Sequence, residues 1–233
     1  LDALMREFAA VALRRGIALQ LTLDSLNWEN RPDLWNYADP AKPGYRPGNA
    51  SNVEWSDFAG TPHPHRYRNW GNPERLAPVM CYNAPRVRAE SSRLLRERVG
   101  PPLKAFLEQF AEAGKPELFA GLTVGAETDL PDYSHIDEVD PGIAKLMAQD
   151  GTPKVRLGYH ALANLGFGPG RLPKEPALEL AKVNRDFIAF WAGELVALGL
   201  PREKLFTHIP ASASLAMADY AHSPPWIAFN AAS

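Results

Sequence analysis

The amino-acid sequence predicts an α/β fold forming part of a (β/α)8 barrel, and three observations carry that expectation. Helical apolar spacing alternates with short strand-like runs along the chain. Two of those runs have one apolar face and one small or polar face that ends in an acid. The longest aperiodic stretches follow the C-terminal ends of these runs, where a barrel places its functional loops. With 233 residues the chain is long enough for one sizeable core but short of the roughly 250 residues of a complete eight-stranded barrel. One domain spanning 1–233 is the economical reading.

Residues 1–15 place Leu4, Phe8, Val11 and Ala12 at helical intervals, and Gly16 ends that helix. A helix as the first element, with no initiator Met, reads as the start of a fragment. Residues 16–24 alternate: Ile17, Leu19, Leu21 and Leu23 share one face, and Ala18, Gln20, Thr22 and Asp24 the other. Residues 27–83 are dense in Pro, Gly, Asn and aromatics, with Trp28, Trp35, Trp55 and Trp70 among them. Disordered linkers are poor in aromatics, so an ordered excursion over the barrel mouth is expected.

Residues 84–114 read as helix, with Leu94, Leu95, Leu103, Phe106, Leu107 and Phe110 buried and a break at Pro101 and Pro102. Residues 118–130 repeat the strand design: Leu118, Ala120, Leu122, Val124 and Ala126 face helices, while Phe119, Gly121, Thr123, Gly125 and Glu127 face inward. Residues 128–173 are irregular, with a short helix through 143–148. Residues 176–198 form a clear helix burying Leu180, Val183, Phe187, Phe190, Trp191, Leu195 and Leu198. Short strands are expected at 204–209 and 225–230.

The net charge of −2 gives no basic stripe, so nucleic acid is not an expected partner. Apolar runs fall short of the ~18 residues of a membrane span. Cys81 is the one cysteine, which excludes an intrachain disulfide. The compartment, cytoplasmic or periplasmic, stays undetermined.

Candidate chemistry collects at the strand ends: Asp24 with Trp28, Glu29, Asn30 and Arg31, then Glu127, His208 and Asn230. Carboxylates below a canopy of aromatics, Trp70 included, suit a carbohydrate, whose ring faces stack on aromatics and whose hydroxyls need polar partners. Cleavage then requires a carboxylic acid to protonate the leaving oxygen, and Glu127 is the candidate. Tyr159, His160 and Asn164 read either as substrate contacts or as a short core helix.

The strand closing on Glu127 resembles the fourth strand of the clan A glycoside hydrolases, which carries their general acid/base. The helix bearing Asn184, Arg185, Asp186, Phe187, Phe190 and Trp191, followed by residues 205–210, resembles the family 42 β-galactosidases. That resemblance implies strands three to six of the barrel, a retaining double displacement, and a nucleophile on strand seven beyond Ser233; within the chain, Asp24 or Glu29 is the alternative second carboxylate. It also implies an inactive fragment lacking the first and last two strands, with homo-oligomers expected of the full-length protein and self-association through unpaired edges. Where the clan has Asn before its acid, this chain has Ala126. No cofactor and no metal are invoked.

Two other classes compete. A non-catalytic carbohydrate-binding barrel would bind glycan on the aromatic loop, with Glu127 merely hydrogen-bonding it. A metal-dependent hydrolase would use His63 and His65, spaced as in amidohydrolase barrels, although the pair lies in a loop rather than closing a strand.

Overall fold

The computed structural model describes residues 1–24, 28–125 and 128–207. Helix α1 (Asp2–Arg15) leads into strand β1 (Leu19–Leu23). The excursion that follows holds the short helix α2 (Pro32–Trp35), a 3-10 segment (Pro47–Asn52) and the antiparallel hairpin β2 (Arg66–Asn69) and β3 (Pro73–Leu76). Helices α3 (Pro85–Leu94) and α4 (Gly100–Glu112) are joined through a π turn, and strand β4 (Phe119–Val124) comes next. Three short helices, α5 (Ile136–Val139), α6 (Pro141–Asp150) and α7 (Tyr159–Asn164), precede the long helix α8 (Pro176–Ala197) and strand β5 (Leu205–Thr207).

Strands β1, β4 and β5 form a parallel sheet in chain order, giving a mixed α/β fold. No closed barrel is present among the described residues. The alternation expected for β1 is observed: its leucines are half-buried, and Gln20 and Thr22 on the opposite face are exposed. Gln20 pairs with Gly121 and Thr22 with Thr123, so the small or polar faces of two strands coincide, and the Gln20 amide donates to the Thr123 hydroxyl at 2.8 Å. Gly121 is there because nothing larger fits. A Cβ at that position would lie 2.3 Å from the Phe206 ring and 2.8 Å from the Lys204 carbonyl oxygen.

The opposite face of β4, with Leu122 and Val124, is buried in the core. Phe106, Phe110, Phe187, Leu95, Leu103, Leu180 and Leu195 are among the large side chains fully enclosed in that core. Each contributes roughly 1.5–3 kcal/mol through apolar burial. Pro101 and Pro102 occupy the first turn of α4, where missing N–H groups cost no helical bond.

The structure corrects three expectations. On α1 it buries Met5, Ala9 and Ala12 against α4, and leaves Leu4, Phe8 and Val11 substantially exposed. The small side chains let the two helices approach closely, and the larger stripe turns away. The 27–83 excursion contains a β-hairpin whose strands, rich in Arg and Asn, have no apolar alternation to announce them. Residues 128–173 hold three helices rather than one. The strand expected at 225–230 lies outside the described residues. No helix among the described residues is long and apolar enough to cross a membrane.

Candidate functional site

The three parallel strands finish at one level. Leu23 pairs with Val124, Val124 pairs with Thr207, and the Gly125 N–H donates to the Leu23 carbonyl at 3.1 Å. Asp24 is the first residue past β1. The chain then turns through Trp28, Asn30 and Arg31 into α2, and these four line one cleft of about 180 Å3 with Met80, Val87, Glu90 and Leu94 opposite and Trp191 of α8. The cleft is smaller than the ~300–1,000 Å3 typical of drug-sized ligands, and suits a single small polar ring.

Its walls are held firmly. The Trp28 indole is buried and donates to the Pro78 carbonyl at 2.8 Å, while the Trp35 indole donates to the Trp28 carbonyl at 2.8 Å. The Arg31 guanidinium grips Asp33 with two bonds of 2.9 Å and reaches Glu90 at 3.3 Å. Glu90 also takes two bonds from Arg93 at 3.1 and 3.0 Å. Partial burial raises the Glu90 carboxyl, but Arg93 and Arg31 outweigh it and hold the group below its ordinary range. Hydrogen bonding to Asp33 raises Arg31 further still. Glu90 is therefore an anion at neutral pH, fixed between two cations.

The cleft lies between the exit of β1 and the helices, not above the polar face of the sheet. That differs from a site ringed by strand ends over a barrel axis. The reason is local: the turn at Trp28 carries the chain toward α3, and the buried indole anchors it there.

A second polar constellation lies under the excursion. Glu54 is fully buried and accepts the N–H groups of His160 at 3.2 Å and Ala161 at 3.4 Å, with the Cys81 thiol close by. Burial drives the Glu54 carboxyl up to about 7. It pushes the Cys81 thiol well above its usual range, and the Glu54 charge adds to that rise. His160 stacks on Trp55 at 3.9 Å, and its Nδ1 lies 2.8 Å from the Val53 carbonyl oxygen. Arg66 is ion-paired with Asp129, and the Tyr82 hydroxyl donates to the Asp129 carbonyl at 2.8 Å. Burial raises the Tyr82 phenol; Arg66 opposes the rise, while Asp129, Glu54 and Asp24 are near enough to add to it.

Of the residues expected to form a site, Asp24, Trp28, Asn30 and Arg31 are brought together, with Trp28 built into the wall. Glu29 sits on the exposed turn between them and does not line the cleft. Trp70 belongs elsewhere: it projects from the β2–β3 hairpin tip. Glu127, His208 and Asn230 lie outside the described residues. The aromatic canopy is largely structural, since Tyr67 and Tyr82 are core residues and Trp55 covers His160. Tyr159, His160 and Asn164 form the short helix α7, with His160 buried.

His63 and His65 do not converge. His63 is buried, its Nδ1 lies 3.0 Å from the Ser56 hydroxyl, and its ring stacks on Tyr133; His65 points instead to the Leu76 carbonyl and the Tyr67 ring. No group of three or more His, Cys, Asp or Glu side chains among the described residues could hold a metal ion.

Glu54, Glu90 and the Arg66–Asp129 pair escaped sequence reading. Glu54 lies in an aperiodic stretch, and Arg66 and Asp129 are 63 positions apart, so no local pattern links them. No protein-family model, no curated protein and no solved structure matches this chain.

Proposed function

We propose that this protein is a glycoside hydrolase that cleaves β-glycosidic bonds, with Glu127 as general acid/base. The observation supporting that reading is the gathering of Asp24, Trp28, Asn30 and Arg31 in one cleft at the exit of β1, the strand paired in parallel with β4, which precedes Glu127 in sequence. The strand order β1, β4, β5, parallel and strictly sequential, is how a (β/α)8 barrel accumulates, and supports assigning the sheet to part of one.

In a retaining reaction the Glu127 carboxyl gives its proton to the glycosidic oxygen as the bond to the anomeric carbon breaks and a second carboxylate attacks that carbon. Water then displaces the enzyme carboxylate, losing its proton to Glu127. Asp24 and Asn30 supply polar partners to substrate hydroxyls, and Arg31 holds the turn in place through Asp33 and Glu90. No cofactor is required by this chemistry. Glu90 is not the second carboxylate, because it is locked between Arg31 and Arg93.

That locking favours one alternative, a carbohydrate-binding domain without turnover, since Glu90 is held as an anion between two cations. Chromogenic β-glycosides tested on the full-length protein separate the two. Hydrolysis that falls by about 10²–10⁴ in kcat on Glu127→Gln, with sugar binding retained, supports the enzyme. Binding without hydrolysis in the unsubstituted protein supports the binding domain, and full activity in Glu127→Gln removes that residue from the mechanism.

A further inference from the structure

A second cleft of about 220 Å3 lies between the β2–β3 hairpin and helices α5 and α6, and shares no residue with the Asp24 cleft. Arg66, Arg68, Asn69, Asp129, Asp132 and Asp140 supply charged and amide groups to its lining, together with apolar side chains that include Ile136.

Its two arginines are already paired. Arg66 pairs with Asp129, Arg68 with Glu74 at 2.7 Å, and the neighbouring Asp132 with Arg156. Asp140 uses one oxygen to accept the Ile143 N–H at 3.0 Å and the other to accept the Asn69 amide at 2.9 Å. An anionic ligand would have to displace a carboxylate from one of these arginines and leave a part-buried ion uncompensated. Hydroxyl groups meet no such cost, because they donate to spare carboxylate lone pairs and accept from spare guanidinium N–H groups.

Trp70 follows the lining residue Asn69 directly in sequence. It is 68% exposed, and the guanidinium of Arg68, itself a lining residue, lies 3.9 Å from its ring centroid. Because Arg68 is also tied to Glu74, the indole plane is set before any ligand arrives, which lowers the ordering cost of binding. An exposed aromatic plate next to a polar cleft whose arginines are already paired is complementary to a sugar ring, which has an apolar face and a hydroxyl edge.

We propose that this cleft and Trp70 form a second saccharide-binding site, which takes a neutral oligosaccharide and acts whether or not the chain hydrolyses its ligand. The test is titration of the full-length protein with neutral β-linked gluco-, galacto-, manno- and xylo-oligosaccharides of two to six units, read by calorimetry and by the Trp70 indole N–H resonance. At least one is expected to shift that resonance, to lose about tenfold in affinity on Trp70→Ala, and to bind almost independently of salt. Asn30→Ala, in the other cleft, should leave the Trp70 shift intact.

The proposal is overturned if none of these sugars moves the Trp70 resonance at concentrations up to ~10 mM. It is also overturned if Trp70→Ala leaves every affinity unchanged, or if only sulfated or uronic acid oligomers bind. Absence of hydrolysis with a Trp70-dependent affinity would defeat the glycosidase reading and leave this one standing.

Discussion

Replacing Glu54 by Gln should make the protein relatively more stable at alkaline pH. Glu54 is fully buried, and its carboxyl is raised from 4.5 to about 7, chiefly by burial. Between those values the folded protein keeps a proton that the unfolded chain has released, so stability falls as pH rises through the interval. At about 1.4 kcal/mol per pH unit the fall amounts to about 3 kcal/mol, and above about 7 it is complete. Gln has nearly the shape of the protonated acid and can accept the His160 and Ala161 N–H groups, but it does not ionise. The unfolding free energy of Glu54→Gln minus that of the parent should therefore climb by about 3 kcal/mol from about pH 4.5 to about pH 8. In melting temperature this is a relative displacement of roughly 6–12 °C for a chain of this size. Urea unfolding followed by tryptophan fluorescence at several pH values measures it, and the subtraction cancels every other titrating group. A difference that stays constant across the range within ~0.5 kcal/mol would show that Glu54 is not the buried, proton-holding group described here.

Two further outcomes are expected. His63 is depressed from 6.5 to about 4 by burial and, secondarily, by the His65 charge, so the stability it contributes is complete above 6.5 and is lost as pH falls toward 4. His63→Phe keeps a ring against Tyr133, and should flatten the acid limb of the same urea series by about 3 kcal/mol, after a pH-independent offset of about 1 kcal/mol for the lost Ser56 bond; an unchanged acid limb would refute the assignment. Gly121→Ala should destabilise by about 2–3 kcal/mol, because the added methyl meets the Lys204 backbone as well as the Phe206 ring; a loss below ~0.5 kcal/mol in urea unfolding would mean that β4 and β5 are not packed this closely.

Much of the sheet and the long helices was legible along the chain. The leucines of residues 19–23 alternate, residues 176–198 keep one apolar stripe, and two prolines can enter a helix only in its first turn; each is a signal a few residues long. The cleft at the end of β1 was legible for the same reason, since Asp24, Trp28, Asn30 and Arg31 are neighbours in sequence and one turn suffices to assemble them. Helix α1 misled because its largest apolar side chains and its closest-packing ones lie on different stripes, and the fold uses Ala9 and Ala12. Trp70 misled because aromatic composition says that a segment is ordered, not which of its rings face solvent.

By itself, then, the order of residues established a mixed α/β chain with parallel strands, acids following two of them and a tryptophan-rich excursion between. Only tertiary contacts decided that Glu54 is sealed against helix α7, that Arg66 neutralises Asp129, that Glu90 is clamped by Arg31, and that Trp70 stacks with Arg68, which lines a different cleft from Asp24. Periodicity and propensity are properties of adjacent residues. Protonation and charge balance depend on which polar atoms lose water together, and for Glu54 and His160 those atoms are 106 positions apart.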